Sequence, residues 1–317
     1  MIPSSVDAVF YIQASAATGM GHIVRSAALV KMLGARGLNC CVVLRVDAQG
    51  HALARENMLT AHDIDVRTVM SLAAPVIIDA VIIPANDALY LSKSPQRILI
   101  SPVCDRADIA THALVRSVPD ALRGTLANNC SLTRDDRYAY ATAAGLTPRA
   151  LDYGRLIVGI CLSGGVGQPS IDSLVQAVRG VPGLDAVHVI HPNRPNTSGY
   201  GAEVYHRTFC EDPWAFLAPI NVFIGGDGVM IAEAVAQGLP CLSITRPDLV
   251  AKNRTFIDAG CVDYCYFDDA PVATLTAFLS DRERLTSMHR AAIETGAGQT
   301  AGALADEIAH LVNEERS

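Results

Sequence analysis

The stretch AVFYIQASAATGMGHIVRSAALVKMLGARGLNCCVVLRV, residues 8–46, decides the fold class. AVFYIQA is a near-continuous apolar run with β-branched and aromatic residues, as a strand buried on both faces requires. TGMGH (18–22) then breaks it with two glycines. From His22 to Arg36 the apolar residues recur at helical spacing, and Gly37 stops the pattern. NCCVVLRV (39–46) is the next strand. A strand, a glycine corner, a helix and a second strand make one parallel β-α-β unit.

The same rhythm continues outward. APVIIDAVII and QRILIS read as further strands, and 117–150 is mixed and polar. RLIVGICLSGG (155–165) restarts the pattern. IDSLVQAVRG follows as helix, LDAVHVIHP as strand, DPWAFLAP as short helix, NVFIGG as strand, VMIAEAVAQG as helix and PCLSI as strand, with a helical tail from about residue 271. The expectation is an α/β chain of two doubly wound, Rossmann-like domains. The boundary is set at 1–152 and 153–317, with the last helices able to pack back on the first domain.

The totals narrow the function. At 317 residues the chain is long enough for two domains, and its formal net charge of −7 argues against nucleic acid or an anionic membrane as the main partner. Nine cysteines, an odd number with no CxxC pair and several in apolar runs, read as reduced buried thiols of a cytoplasmic protein. The N-terminus has no basic region of a signal peptide, and no apolar run reaches the ~18 residues of a membrane span. No HExxH or Cys/His zinc spacing and no GxSxG elbow is present. No metal, no cofactor and no serine nucleophile is inferred.

Three glycine corners carry the candidate chemistry: Gly19 and Gly21 in TGMGH, Gly164 and Gly165 in SGGVG, and Gly225, Gly226 and Gly228 in GGDG. Each lies between a strand and a helix, where backbone N–H groups can meet phosphate oxygens. Tight turning alone is the competing explanation. TGMGH is not a dinucleotide fingerprint, because Val24 stands where GxGxxG needs its last glycine. Asp47 after the second strand could imitate a ribose acid.

His22 lies in or beside the first helical turn, where the helix dipole disfavours imidazolium. A neutral imidazole can take a proton, as a general base must. A simple capping role is the alternative. Arg25, three residues on, shares that helix face and could meet an anion or a buried carboxylate. His188 and His191, three apart in an apparent strand, would point to opposite faces and make a poor metal pair.

GMGHIVRSAALVKMLGARG resembles the GxGHxxR motif of the UDP-sugar hydrolases of pseudaminic acid synthesis, which related spore-coat polysaccharide proteins share. EDPWAFLAPINVFIGGDGVMIAEAVAQGLPCLSI resembles the C-terminal signature of the same family, and the peptidoglycan N-acetylglucosamine transferase has a similar run. KNRTFIDAG and ICLSGGVGQPSIDSLVQAV are similar to two further family segments. The resemblance implies a GT-B-like fold with a UDP-sugar in an interdomain cleft. It implies that His22 activates water, that Gly225, Gly226 and Gly228 run along the diphosphate beside Asp227, that Glu233 holds ribose hydroxyls, and that Asn253 faces the sugar or its phosphate.

The chain departs from that pattern in places. Asp227 replaces a hydroxyl residue after the glycine pair, and Arg254 replaces a glutamine. An Asp-His-Tyr-like element is reduced to Asp79-Ala80-Val81, and only Asp105 remains of a later acidic pair. The expected activity is release of UDP from a UDP-linked amino or deoxy sugar. The alternative is a glycosyltransferase with His22 deprotonating an acceptor hydroxyl, followed by a non-catalytic nucleotide-sugar-binding protein. The oligomeric state is left open.

Overall fold

The computed structural model describes residues 6–15, 18–57, 59, 73–118, 120–135, 137–138, 148–162, 171–199, 201–208, 212–247, 249–266, 271–296 and 302–314. The chain divides into two compact units: residues 1–144 with 300–317, and residues 145–299. Each unit is built on one six-stranded parallel sheet.

In the first unit the elements run β1 (Ala8–Ala14), α1 (Gly21–Ala35), β2 (Cys40–Val46), α2 (Ala48–Glu56), β3 (Val76–Asp79), α3 (Ala85–Leu91), β4 (Arg97–Leu99), β5 (His112–Val115), α4 (Asp120–Asn129) and β6 (Ser131–Arg134). The strand order is β2-β1-β3-β4-β5-β6. β1 alternates its side chains between two cores. Phe10 and Ile12 are fully buried, as are Ile23, Leu29 and Leu33 of α1 at helical spacing. Val9 and Tyr11 join the opposite core with Ala88 and Leu91 of α3 and Leu126 of α4. The chain's last helix, α11 (Ala303–Glu314), belongs to this unit and packs on α1. Arg36 pairs with Asp306, and the Gln96 side-chain amide reaches the Leu311 carbonyl.

The second unit contains β7 (Leu156–Cys161), α5 (Ile171–Arg179), β8 (Leu184–Ile190), β9 (Glu203–Arg207), α6 (Pro213–Leu217), β10 (Val222–Gly225), α7 (Val229–Ala236), β11 (Cys241–Thr245), α8 (Arg254–Asp258), β12 (Val262–Tyr266), α9 (Pro271–Ser280) and α10 (Arg282–Glu294). Its strand order is β12-β11-β10-β7-β8-β9. Leu174, Val175 and Val178 of α5 pack with Val158, Ile160, Val187 and Val189 of the sheet and with Leu275 and Phe278 of α9. Gly159 faces the other side, where a Cβ would lie 2.3 Å from Ile220 Cδ1.

Several sequence expectations are corrected. Only Val76–Asp79 of APVIIDAVII forms a strand. Asp105 explains the early end: its Oδ1 accepts the Ile83 amide at 2.9 Å and its own amide donates to the Val81 carbonyl, which turns residues 81–83 out of the sheet. Asp47 caps α2, accepting the Gly50 amide at 2.8 Å, and is accounted for by that bond. His191 lies beyond the end of β8, so it and His188 are not a strand pair. The mixed segment holds α4 and β6, and β9 and β12 are strands that periodicity did not reveal.

Candidate active site

In each unit the strand order reverses beside the first strand: between β1 and β3 in one, and between β7 and β10 in the other. Crevices at the carboxyl ends of strands at such points are where open α/β sheets bind ligands. The described candidate residues fall at these two places.

At the first, the loop after β1 closes tightly. The Ser15 carbonyl accepts the Gly19 amide at 2.8 Å, and Thr18 Oγ1 accepts the Ser15 amide at 3.0 Å. Gly19 has φ +94°, a left-handed conformation that favours glycine, although a Cβ would meet nothing within 4 Å. The requirement is therefore in the backbone. Met20 is the N-cap residue without a side-chain cap, Gly21 starts α1, and His22 sits in its first turn.

His22 and Arg25 converge on a residue that sequence reasoning had left as a remnant. Asp79 ends β3, in register with Ile12 of β1, and is fully buried. His22 Nδ1 lies 2.6 Å from Asp79 Oδ1. Arg25 grips both carboxylate oxygens, with Nε 3.1 Å from Oδ2 and Nη2 2.5 Å from Oδ1. Ser26 Oγ donates to Oδ2 at 2.9 Å. Burial pushes the Asp79 carboxyl toward protonation. The Arg25 charge, with the hydrogen bonds from His22 and Arg25, outweighs it and holds the group well below the usual carboxylate range.

An ionised carboxylate is acceptor-only, so Nδ1 of His22 carries the proton that faces it. In the neutral ring the other nitrogen, Nε2, is then the acceptor. Among the described residues Nε2 has no hydrogen-bond partner, and the side chain is 12% exposed. A carboxylate that fixes the tautomer and orientation of an imidazole, leaving its far nitrogen to accept a proton, is the arrangement of a general base. The sequence placed His22 on a helix start alone; the structure adds the carboxylate behind it. The neutralising Arg25 answers the choice the sequence left open: it meets a buried carboxylate.

At the second crevice, Gly225 ends β10 in register with Cys161 of β7 and Ser243 of β11. A Cβ on Gly225 would lie 2.6 Å from the Phe223 ring, so packing alone excludes a side chain there. The Gly226 amide is engaged by the Cys161 carbonyl at 3.3 Å. Gly228, in extended conformation, is the N-cap residue of α7, whose first-turn amides have no intrahelical acceptor.

Asp227 is half-buried, and Ser243 Oγ donates to its Oδ1 at 3.4 Å. Asn253 Nδ2 donates to Ser243 Oγ at 3.2 Å. Ser243, which the sequence did not single out, thus joins two predicted site residues. Glu233 is 1% exposed, within a helix buried from Ile231 to Ala236. Gly164 and Gly165 lie outside the described residues.

A second polar cluster flanks the first crevice on the sheet face covered by α3. Tyr11 Oη donates to Asp87 Oδ2 at 2.8 Å, and Arg45 Nε donates to the same oxygen at 2.8 Å. Burial and then Asp87 push the Tyr11 hydroxyl far above its usual range, so it stays a donor. Among the described residues no group of His, Cys, Asp and Glu side chains is placed to hold a metal ion, and no helix is long and apolar enough to cross a membrane.

No family model matches the chain, and no curated protein matches it in sequence. Solved structures share its fold. A UDP complex of MnaA from S. aureus has a TM-score of 0.65 at 13% identity, covering 96% of this chain and 97% of that one. UDP-GlcNAc 2-epimerase from Neisseria meningitidis, bound to UDP-GlcNAc, has a TM-score of 0.62 at 8% identity, covering 95% and 99%. WaaG, a glycosyltransferase involved in lipopolysaccharide biosynthesis, has a TM-score of 0.57 at 12% identity, covering 96% and 99%. At these identities the likeness establishes the GT-B-like fold, two parallel α/β units with covered sheets.

Proposed function

We propose that the chain is an enzyme of nucleotide-diphospho-sugar chemistry, and that it transfers the sugar to an acceptor hydroxyl with His22 as general base. The observation that carries this is the 2.6 Å contact between His22 Nδ1 and the buried Asp79 carboxylate. His22 Nε2 takes the proton of the attacking hydroxyl as its oxygen bonds to the anomeric carbon. The bond from that carbon to the diphosphate oxygen breaks, and the nucleoside diphosphate leaves with the electron pair. First-turn amides of α7 are the donors suited to that leaving charge. Asn253, Ser243 and Glu233 complete the nucleotide side, and uridine is the expected base.

The transfer reading draws support from the glycosyltransferase among the structures of like fold. Hydrolysis is the second reading, supported by the GMGHIVR corner. It differs only in that water replaces the acceptor hydroxyl. A cytoplasmic site of action fits both.

The test is release of free nucleotide from UDP-, GDP- and CMP-sugars by wild type and His22→Ala, with and without a panel of sugar acceptors. Acceptor-dependent release by wild type alone supports transfer. Equal release without acceptor replaces transfer by hydrolysis. Full activity of His22→Ala overturns the role of His22, and no binding of any nucleotide sugar overturns the reading as a whole.

A further inference from the structure

β9, residues Glu203–Arg207, is the last strand of its sheet. Its sequence, EVYHR, contains neither Pro nor Lys, and its two charged residues, Glu203 and Arg207, are of opposite sign. Glu203, Tyr205 and Arg207 are exposed on one face, and Val204 and His206 are half-buried on the other.

The strand's hydrogen-bonding side is set by its neighbour. β9 pairs in parallel with β8, and the His191 amide donates to the Arg207 carbonyl at 3.1 Å. Backbone groups alternate sides along a strand, so Arg207, Tyr205 and Glu203 turn their N–H and C=O toward β8. Val204 and His206 turn theirs toward the open edge. The approach to the strand is held rigidly. The buried Arg179 donates to the carbonyls of Thr197, Ser198, Gly199 and Ala202, at 3.0 to 3.3 Å, and His206 Nε2 lies 2.8 Å from the His191 carbonyl.

We infer that the partner of this edge is a second copy of the chain, paired antiparallel through β9 about a two-fold axis at Tyr205. In that register Val204 and His206 of opposite copies exchange both their backbone hydrogen bonds. Tyr205 faces its own counterpart in a close non-hydrogen-bonded pair. Glu203 lies directly opposite the other copy's Arg207, twice. The strand is therefore self-complementary in charge as well as in hydrogen bonding, as an isologous contact requires. Sliding the copies by one hydrogen-bonding step leaves one of these two charges facing a residue beyond the strand, so the charges fix the register. A groove of about 600 Å³ lies beside the strand, lined by Arg155, Asp185 and His188 with Glu203 and Tyr205.

The experiment is sedimentation equilibrium of the full chain over a concentration series, with Glu203→Arg and Arg207→Glu alone, mixed and combined. Wild type is expected to dimerise. Each single variant should weaken the dimer about tenfold or more, while their equimolar mixture and the double variant recover it, because opposite charges then face each other again. Val204→Pro, which removes an edge donor, should also weaken it, with circular dichroism confirming that each variant is folded. A wild type that stays monomeric throughout, or a dimer indifferent to the charge variants and their mixing, overturns the inference.

Discussion

Ser26 Oγ donates to Asp79 Oδ2 across 2.9 Å, with both residues fully buried. His22, Arg25 and Ser26 stand at positions i, i+3 and i+4 of α1, so among the described residues one helix face delivers every side-chain donor that this carboxylate receives. The roles divide along that face. Ser26 anchors, Arg25 neutralises, and His22 keeps Nε2 facing away from the carboxylate. Ser26→Ala is therefore expected to lower stability by about 1.5–3 kcal/mol, the usual worth of a hydrogen bond to a charged group, while turnover stays within a few-fold of wild type. Denaturant unfolding beside nucleotide-release assays checks this.

Asp79→Asn should act on turnover. The amide cannot hold the His22 tautomer as a carboxylate does, and the rate is expected to fall by about 10²–10⁴ with the Michaelis constant little changed. It also leaves the Arg25 charge uncompensated, at a cost of about 3 kcal/mol. Steady-state kinetics at a temperature where the variant stays folded separates the two effects.

The depressed Asp79 carboxyl predicts an acid limit. Its folded-state pKa lies below the ordinary value of 3.8, so the stability it contributes is fully present above about pH 5 and is lost as pH falls through the depressed value. The difference in unfolding free energy between wild type and Asp79→Asn should be flat near neutrality and shrink below about pH 4. A difference that grew on acidification would contradict the ionised assignment.

Gly159→Ala tests the second unit. Its Cβ would stand 2.3 Å from Ile220 Cδ1 in a packed core, and a loss of about 1–3 kcal/mol is expected. Ile220→Val in the same chain should recover part of it, which thermal unfolding of the single and double variants measures.

These residues also mark how far the sequence could be read. The β-α-β rhythm and the GMGH and GGDG corners follow from local periodicity and glycine placement, so the GT-B-like fold was legible. Asp79 was not recognised as the partner of His22. It is 57 residues from it in sequence, and only the β2-β1-β3 order brings the two together. One signal was available: a lone carboxylate inside VIIDAVII must be paired if the run is buried. Ser243 was hidden in the same way, within the uniformly buried β11. For Gly225, the clash with the Phe223 ring depends on side-chain positions that no motif encodes. β9 escaped notice because EVYHR is short and polar, with no apolar alternation to detect.

α11 lies at the far end of the chain yet packs on α1, the helix that carries His22. During synthesis the His22 helix therefore waits for residues 303–314 before its packing is complete, while residues 145–299 can already have folded. The second unit is in effect an insertion within the first. A fragment cut after residue 144 would lack the helix that covers α1, and a deletion of residues 303–314, remote in sequence from every candidate site residue, would act directly on the helix that carries His22.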